Sequence, residues 1–336
     1  MTELKPIATV EEIRARLDGL SRLALADLPT PLLDCPRLSE ALGGPRILVK
    51  REDQTGLAFG GNKVREFEYS CAPAIDEGYD VLLHGAASQS NQSRVTAALA
   101  ARLGLKAVMV GKKDAHSDPV NGNLLLDHMF GADVRLGEEE GHKDEVIKQL
   151  ESEGHKVYNT SSDGFHLRSV SYVDGFLELR GQLQERGIQP DAVYMCAGVH
   201  THVGIAVGAR ALGIPLRVVG VSPSPQDNAQ KAVHLAEVAN EVARILDLDL
   251  EFAAGDFECY GEYAGPGYGM VTPQGREAVM LAAKNEGLVL EPIYSGKAFA
   301  GLIDHIRKGQ YTRDQSVVFV HTGGTPALFA YADEIL

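Results

Sequence analysis

The chain has 336 residues, enough for two domains or one large α/β unit, and its 44% hydrophobic content allows a sizeable core. A net charge of −14 argues against nucleic acid and anionic membrane surfaces as partners, but says nothing against a small zwitterionic ligand. No apolar run reaches transmembrane length and the start lacks a signal-peptide core, so a soluble cytoplasmic protein is expected.

In chain order, Thr9-Val10-Glu11-Glu12 has capping-box spacing and predicts a helix carrying Ile13, Leu17, Leu20 and Leu23 on one side. Pro36 starts a short helix that Gly43-Gly44 ends. A strand is expected at 46–50. From 80 onward apolar strands alternate with amphipathic helices. Strands fall at 81–83, 107–110, 133–136, 156–158, 192–195, 216–221 and 317–320. Helices fall at 91–103, 123–130, 145–152, 170–184, 201–212, 229–246 and 276–285. The stretch 253–270, rich in glycine and aromatics, reads as irregular and as a wall of a site. This alternation predicts an α/β protein of two parallel-sheet domains, with a ligand between them at the strand C-termini. The cysteines, Cys35, Cys71, Cys196 and Cys259, lack CxxC spacing, so no metal site or disulfide framework is expected.

The chain is organised around Phe59-Gly60-Gly61-Asn62-Lys63-Val64-Arg65-Glu66. The paired glycines allow a turn where a Cβ would clash. A lysine in a first helical turn sits in the partly positive field of the helix start. That field, with burial, favours the neutral amine that attacks a carbonyl. Lys63 therefore reads as a Schiff-base lysine, although a solvated loop lysine is the commoner case when the stretch is taken alone. Three other stretches weigh against that blander reading. They are Gln89-Ser90-Asn91-Gln92-Ser93-Arg94, Glu291-Pro292-Ile293-Tyr294-Ser295-Gly296-Lys297 and His321-Thr322-Gly323-Gly324-Thr325-Pro326.

In this order and at these separations, the four stretches resemble the pyridoxal-phosphate family that holds D-cysteine desulfhydrase, 1-aminocyclopropane-1-carboxylate (ACC) deaminase and L-cysteate sulfo-lyase. The resemblance runs from about Leu28-Pro29-Thr30-Pro31-Leu32 to the C-terminus. It implies a fold-type-II enzyme related to the tryptophan synthase β chain, acting on a small amino acid, with pyridoxal 5'-phosphate as cofactor. It also implies a homodimer, a large domain from residues 1–64 and 171–336, and a small α/β domain at 65–170.

Such a cofactor needs a lysine, a phosphate cradle, and partners for its phenolate oxygen and ring nitrogen. Lys63 is the lysine. The loop Ala197-Gly198-Val199-His200-Thr201-His202-Val203-Gly204 follows a strand, opens a helix and falls where the family binds phosphate. Gly198, Thr201 and Gly204 fit that pattern; His200 and His202 depart from it. Glu66 is a second departure, because the family commonly has a lysine there. A loop histidine replacing the missing positive charge is one expectation; ordinary packing of both histidines is the other. Asn91 is placed to bond the phenolate oxygen, and Ser90 and Gln92 to seat a substrate carboxylate. Plain N-capping by Ser90 or Asn91 is compatible with both roles.

The family has tyrosines at 268 and 294. Tyr294 follows a proline loop and can stack on the ring; Tyr268, between two glycines, can act as acid or base. Ser295 and Thr322 stand where ACC deaminases usually carry glutamate and leucine. A hydroxyl beside the ring nitrogen leaves it neutral and favours β-elimination over cyclopropane opening. A third departure is the run Asp163-Gly164-Phe165-His166-Leu167-Arg168, bulkier than the family's substrate loop. There His166 and Arg168 are candidate substrate contacts, with an acidic β-substituent as one option and a solvent-facing Arg168 as the other. The expected activity is lyase or deaminase chemistry of the D-cysteine desulfhydrase kind. ACC-type deamination, sulfo-lyase chemistry and a binding homologue of altered activity are the alternatives. A dinucleotide site is disfavoured, since no clean G-x-G-x-x-G opens a helix.

Overall fold

The computed structural model describes residues 5–137, 142–196 and 198–336. Helix α1 (Val10–Asp18) forms its capping box: Glu12 N donates to Thr9 Oγ1 at 3.2 Å and Thr9 N to Glu12 Oε2 at 2.7 Å. Ile13 and Leu17 are buried, but the helix ends at Asp18, so Leu20 and Leu23 lie beyond it. Strand β1 (Leu32–Asp34) precedes α2 (Pro36–Leu42), which starts on proline and ends at left-handed Gly43. Then come β2 (Arg46–Lys50), α3 (Asn62–Ser70) and α4 (Ala72–Asp76). The middle of the chain gives β3 (Val81–Gly85), α5 (Asn91–Leu103), β4 (Lys106–Lys112), α6 (Gly122–Met129), β5 (Asp133–Gly137), α7 (Lys143–Ser152) and β6 (Val157–Asn159). The long α8 (Phe165–Glu185) leads to β7 (Ala192–Cys196), α9 (His200–Ala211), β8 (Arg217–Val221) and α10 (Asn228–Ile245). The chain then runs through β9 (Glu258–Tyr260), α11 (Pro273–Glu286), α12 (Ser295–Arg307) and β10 (Ser316–Val320).

Among the described residues the strands form two sheets. The larger has the order β1-β2-β10-β7-β8-β9 and is parallel apart from β1. Its β2 and β10 pair in register, Val49 opposite Phe319, so both parts of the chain flanking the middle segment build one sheet. The smaller, β5-β4-β3-β6, is wholly parallel. Helices cover both faces of the large sheet. Ile47, Val49, Tyr194, Val317 and Phe319 pack towards α11 and α12. Leu48, Val193, Met195 and Val318 pack against Tyr172 and Phe176 of α8 and Ile205 of α9. Burial on both sides is why these strands read as near-continuous apolar runs.

Two strands escaped the sequence reading. β9 lies inside the stretch expected to be irregular, and β1 was not expected at all. Both are three-residue edge strands, β1 with one buried residue and β9 with none, so neither carries a buried apolar run. Helix α8 begins at Phe165 rather than 170, after left-handed Gly164. The domain limits expected at 64/65 and 170/171 therefore run through α3 and α8, whereas the sheets divide between β2 and β3 and between β6 and β7. α9 lies close on α8: a Cβ on Gly204 would sit 2.3 Å from Ser169 O, and one on Gly208 2.8 Å from a Phe176 ring carbon. Gly204 thus serves helix packing rather than the loop.

Candidate active site

The turn before α3 depends on glycine. Gly60 and Gly61 have φ of 65° and 111°, where a side chain is strained. Three groups pin this turn. Arg94 Nη2 donates to Gly60 O at 2.7 Å, Gly61 N to Glu52 O at 3.1 Å, and Asn62 N to Thr322 O at 2.9 Å. Across it, a Cβ on Gly323 would lie 2.6 Å from Gly61 Cα. A Cβ on Gly324 would lie 2.6 Å from Glu291 Cγ and 3.1 Å from Asn91 Nδ2. The structure thus brings all four sequence stretches to one place, at the C-terminal ends of β2, β3 and β10.

Lys63 is the second residue of α3, and its side chain is 23% exposed. Its Nζ lies 2.9 Å from each Glu66 oxygen. The amine is therefore not left alone in the field of the helix start, as expected from sequence. A fully buried carboxylate one turn later holds it. Asn62 Nδ2 donates to Glu66 Oε1 at 3.0 Å and to Thr201 Oγ1 at 3.3 Å, which ties this group to the start of α9. Among the described residues no side chain caps α9, whose N-cap is Val199. Gly198 is exposed, with no atom within 4 Å of its missing Cβ. Open amides at a helix start after a parallel strand make an anion seat. Ala197 lies outside the described residues.

Both loop histidines are engaged in packing. His200 Nδ1 is 2.9 Å from Ser169 Oγ and its ring sits edge-on to Phe165, centroids 4.6 Å apart. Burial, then the nearby Arg168 charge, push its pKa well below the ordinary value. His202 bonds Val218 O through Nε2 at 3.2 Å and packs edge-on to Phe257. Burial holds its pKa at about 4, and the ring faces the core. Both are neutral at physiological pH. A buried cation beside His200 is Arg168. It is buried, donates from Nη2 to Thr160 O, and lies over the Phe165 ring at 5.8 Å. Its Nε has no partner among the described residues. The solvent-facing alternative is therefore excluded. His166 is half-buried, edge-on to Phe165 at 5.3 Å.

Ser90 caps α5, its Oγ accepting from Ser93 N at 3.2 Å. Asn91 Oδ1 accepts from Asn123 Nδ2 at 2.9 Å, which orients the amide with Nδ2 towards Gly324. Gln92 Nε2 donates to Thr160 O at 2.7 Å. Opposite, the hydroxyls of Tyr268 and Tyr294 share a hydrogen bond. A cavity of about 310 Å³ opens before them, lined also by Gln89, Asp114, His116 and Tyr331, and so lies between the two sheets' domains.

Glu291 is a residue the sequence reading missed. Fully buried, its carboxylate accepts from the N–H groups of Ile293 (2.8 Å), Tyr294 (2.9 Å) and Ser295 (2.6 Å), and from Ser295 Oγ at 2.9 Å. Burial raises its pKa while these bonds oppose the rise. It caps α12 from within its own loop. Thr322 is buried at the end of β10, its carbonyl committed to Asn62. Cys196 ends β7 as a buried thiol that burial pushes upward.

Residues 23–323 match the family model described as pyridoxal-phosphate dependent enzyme. The D-cysteine desulfhydrase of Klebsiella pneumoniae (strain 342) is 39% identical over 327 residues, covering 94% of this chain and 97% of that protein. The D-cysteine desulfhydrase of Salmonella newport (strain SL254) is 38% identical over 324 residues, with the same coverage. Among solved structures, an ACC deaminase homologue superposes with a TM-score of 0.87 at 30% identity, covering 97% of this chain and 99% of that one. A threonine deaminase from T.th., at 22% identity and a TM-score of 0.66 over 94% and 98% of the two chains, shares the fold.

The residues fit the cofactor this family uses. Lys63 offers an amine, the uncapped start of α9 an anion seat, and Asn91 Nδ2 a donor, on loops that Gly61, Gly323 and Gly324 let approach closely. Glu66 is the one group of unexpected sign. Matched along most of its length and built on the same two-sheet architecture, the chain belongs to the pyridoxal-phosphate dependent enzymes of fold type II.

Proposed function

We propose that the chain eliminates the β-substituent of a small amino acid of the D-cysteine class, releasing a 2-oxo acid and ammonia. The observation that carries this reading is the commitment of Glu291. Its carboxylate is consumed by three backbone N–H groups and the Ser295 hydroxyl, so the Tyr294 loop has no free carboxylate for a ring nitrogen, and the Thr322 hydroxyl after β10 is the donor left to it. A ring left unprotonated suits a reaction whose leaving group departs soon after Cα deprotonation, and suits cyclopropane opening less. Identity of 39% to a D-cysteine desulfhydrase supports the same choice.

Bound pyridoxal phosphate supplies an electron sink for the Cα carbanion. The rest is done by the chain. The α9 start, with Gly198, Val199, His200 and Thr201, receives the phosphate, and His202 serves packing behind it. Asn91 holds the phenolate oxygen. Ser90 and Gln92, at the start of α5, seat the substrate carboxylate. Lys63, once its amine is free, takes the Cα proton, and Ser90 lies on the same side. Tyr294 covers the ring face. The Tyr268–Tyr294 pair, both phenols raised by burial, holds a proton to give to the departing group. Arg168 and His166 close the substrate side through Thr160 and Phe165. The two-domain division near residues 65 and 170, a homodimer and a cytoplasmic location belong to the same proposal. Among the described residues no helix is long and apolar enough to cross a membrane.

Purified protein given pyridoxal phosphate should show a visible absorption band and release keto acid and sulfide from D-cysteine faster than keto acid from ACC. A Lys63→Ala protein that kept both band and turnover would refute the proposal.

A further inference from the structure

Lys63 and Glu66 sit three residues apart on α3, with both carboxylate oxygens 2.9 Å from Nζ. A carboxylate at one ammonium hydrogen makes an ordinary ion pair. Here it is also fully buried, and Asn62 Nδ2 fixes Oε1 from the same helix. Lys63 is the more exposed partner. The other charged or titratable groups that act on this pair are Arg168 and Tyr172 from α8, neutral His200 from α9, His84 from β3 and Cys196 at the end of β7. Among the described residues Glu66 alone hydrogen-bonds the amine. We infer that Glu66 is the proton partner of Lys63, taking the ammonium proton so that the nitrogen can attack the cofactor aldehyde, and returning it afterwards.

The inference rests on the reading that Lys63 carries the cofactor. An ammonium nitrogen has no electron pair to donate. Passing one proton to Glu66 leaves a neutral amine beside a carboxylic acid. The nitrogen then bonds the aldehyde carbon, and water leaves with the aldehyde oxygen and the two remaining amine hydrogens. The proton on Glu66 moves to the new nitrogen–carbon linkage, and the carboxylate is restored beside a cation.

Stopped-flow absorbance of cofactor capture by the apoenzyme tests this without reference to turnover. Two aldehydes are compared, pyridoxal 5'-phosphate and pyridoxal, because a carboxylate that merely repelled phosphate would affect only the first. At neutral pH, Glu66→Gln should slow capture of both by on the order of 100-fold, the scale of a lost general base. Glu66→Asp should recover part of the rate. A Glu66→Gln rate that is unchanged, or changed only for the phosphorylated aldehyde, overturns the inference. So does a Glu66→Asp rate no higher than that of Glu66→Gln when circular dichroism shows both variants folded. A band that survives Lys63→Ala instead overturns the reading beneath it.

Discussion

The Tyr268 and Tyr294 hydroxyls are hydrogen-bonded to each other, their rings edge-on with centroids 5.8 Å apart and planes at 70°. Burial raises both phenols, most strongly Tyr294. Both are therefore protonated at neutral pH and act as donors. Tyr294→Phe should lower kcat by on the order of 100-fold while leaving the cofactor's absorption band in place. Because raised phenols lose no proton below about pH 10, no alkaline limb from them should appear between pH 6 and 9. The kcat–pH profile beside the absorption spectrum checks both statements.

Lys63 is positioned by a buried ion pair two residues along α3. Arg65 Nε donates to Glu52 Oε2 at 2.7 Å and Nη2 to Oε1 at 3.0 Å, while Thr30 and Tyr172 hydroxyls also bond the carboxylate. Burial alone would raise the Glu52 pKa, but Arg65 outweighs it and holds it at about 2. A depressed carboxylate contributes stability above its unfolded pKa of about 4.3 and loses it as pH falls towards 2. Glu52→Gln leaves Arg65 with Glu178 alone and should cost about 3–5 kcal/mol at pH 7. The gap to the unaltered protein should shrink below pH 4. Denaturant melts at pH 7 and pH 3 decide it.

The alternation of strands and helices was legible because most strands are covered on both faces and read as apolar runs. β1 and β9 were not, being short and at sheet edges. The four site stretches were legible as motifs, yet their joining was not: it depends on Gly323 admitting the Gly61 turn, more than 200 residues away in sequence, and on Gly324 admitting Glu291. The Lys63–Glu66 pair had a local signal, since residues three apart share a helix face. Arg94 had another, as a cation in the first turn of a helix, where the helix field disfavours it. Glu291 had none, because capping from within a loop needs the loop's path. The histidines left two readings open, since a residue type that can carry charge says nothing of burial.

His200 and His202 should therefore leave no mark on cofactor affinity between pH 5.5 and 8. His202→Ala should cost about 1–3 kcal/mol by leaving Val218 O unpaired, with cofactor affinity unchanged. Both rings are held neutral in the fold, with pKa values below the unfolded one of about 6.5. The unfolded chain thus binds more protons, and their contribution to stability is present above pH 6.5 and declines as pH falls towards the folded values. Fluorescence titration with cofactor, and melts from pH 5 to 8, test the two halves separately. A histidine step in cofactor affinity would restore the charge-replacement idea.

Gly323 and Gly287 separate conformational strain from steric closure of the site. Both have positive φ, 96° and 64°. A Cβ on Gly287 meets nothing within 4 Å at the end of α11, so Gly287→Ala costs only the left-handed backbone, about 1–2 kcal/mol. On Gly323 the Cβ would meet Gly61 Cα at 2.6 Å, and backbone cannot rotate aside as a side chain does. Gly323→Ala must therefore push apart the turn that presents Lys63 and the loop that carries Thr322. It should lower the melting temperature more than Gly287→Ala and weaken cofactor binding at least tenfold, a loss of about 1.4 kcal/mol. Gly287→Ala should leave cofactor binding alone. Equal cofactor affinity in the two variants would show that the Lys63 turn does not depend on its close approach to Gly323.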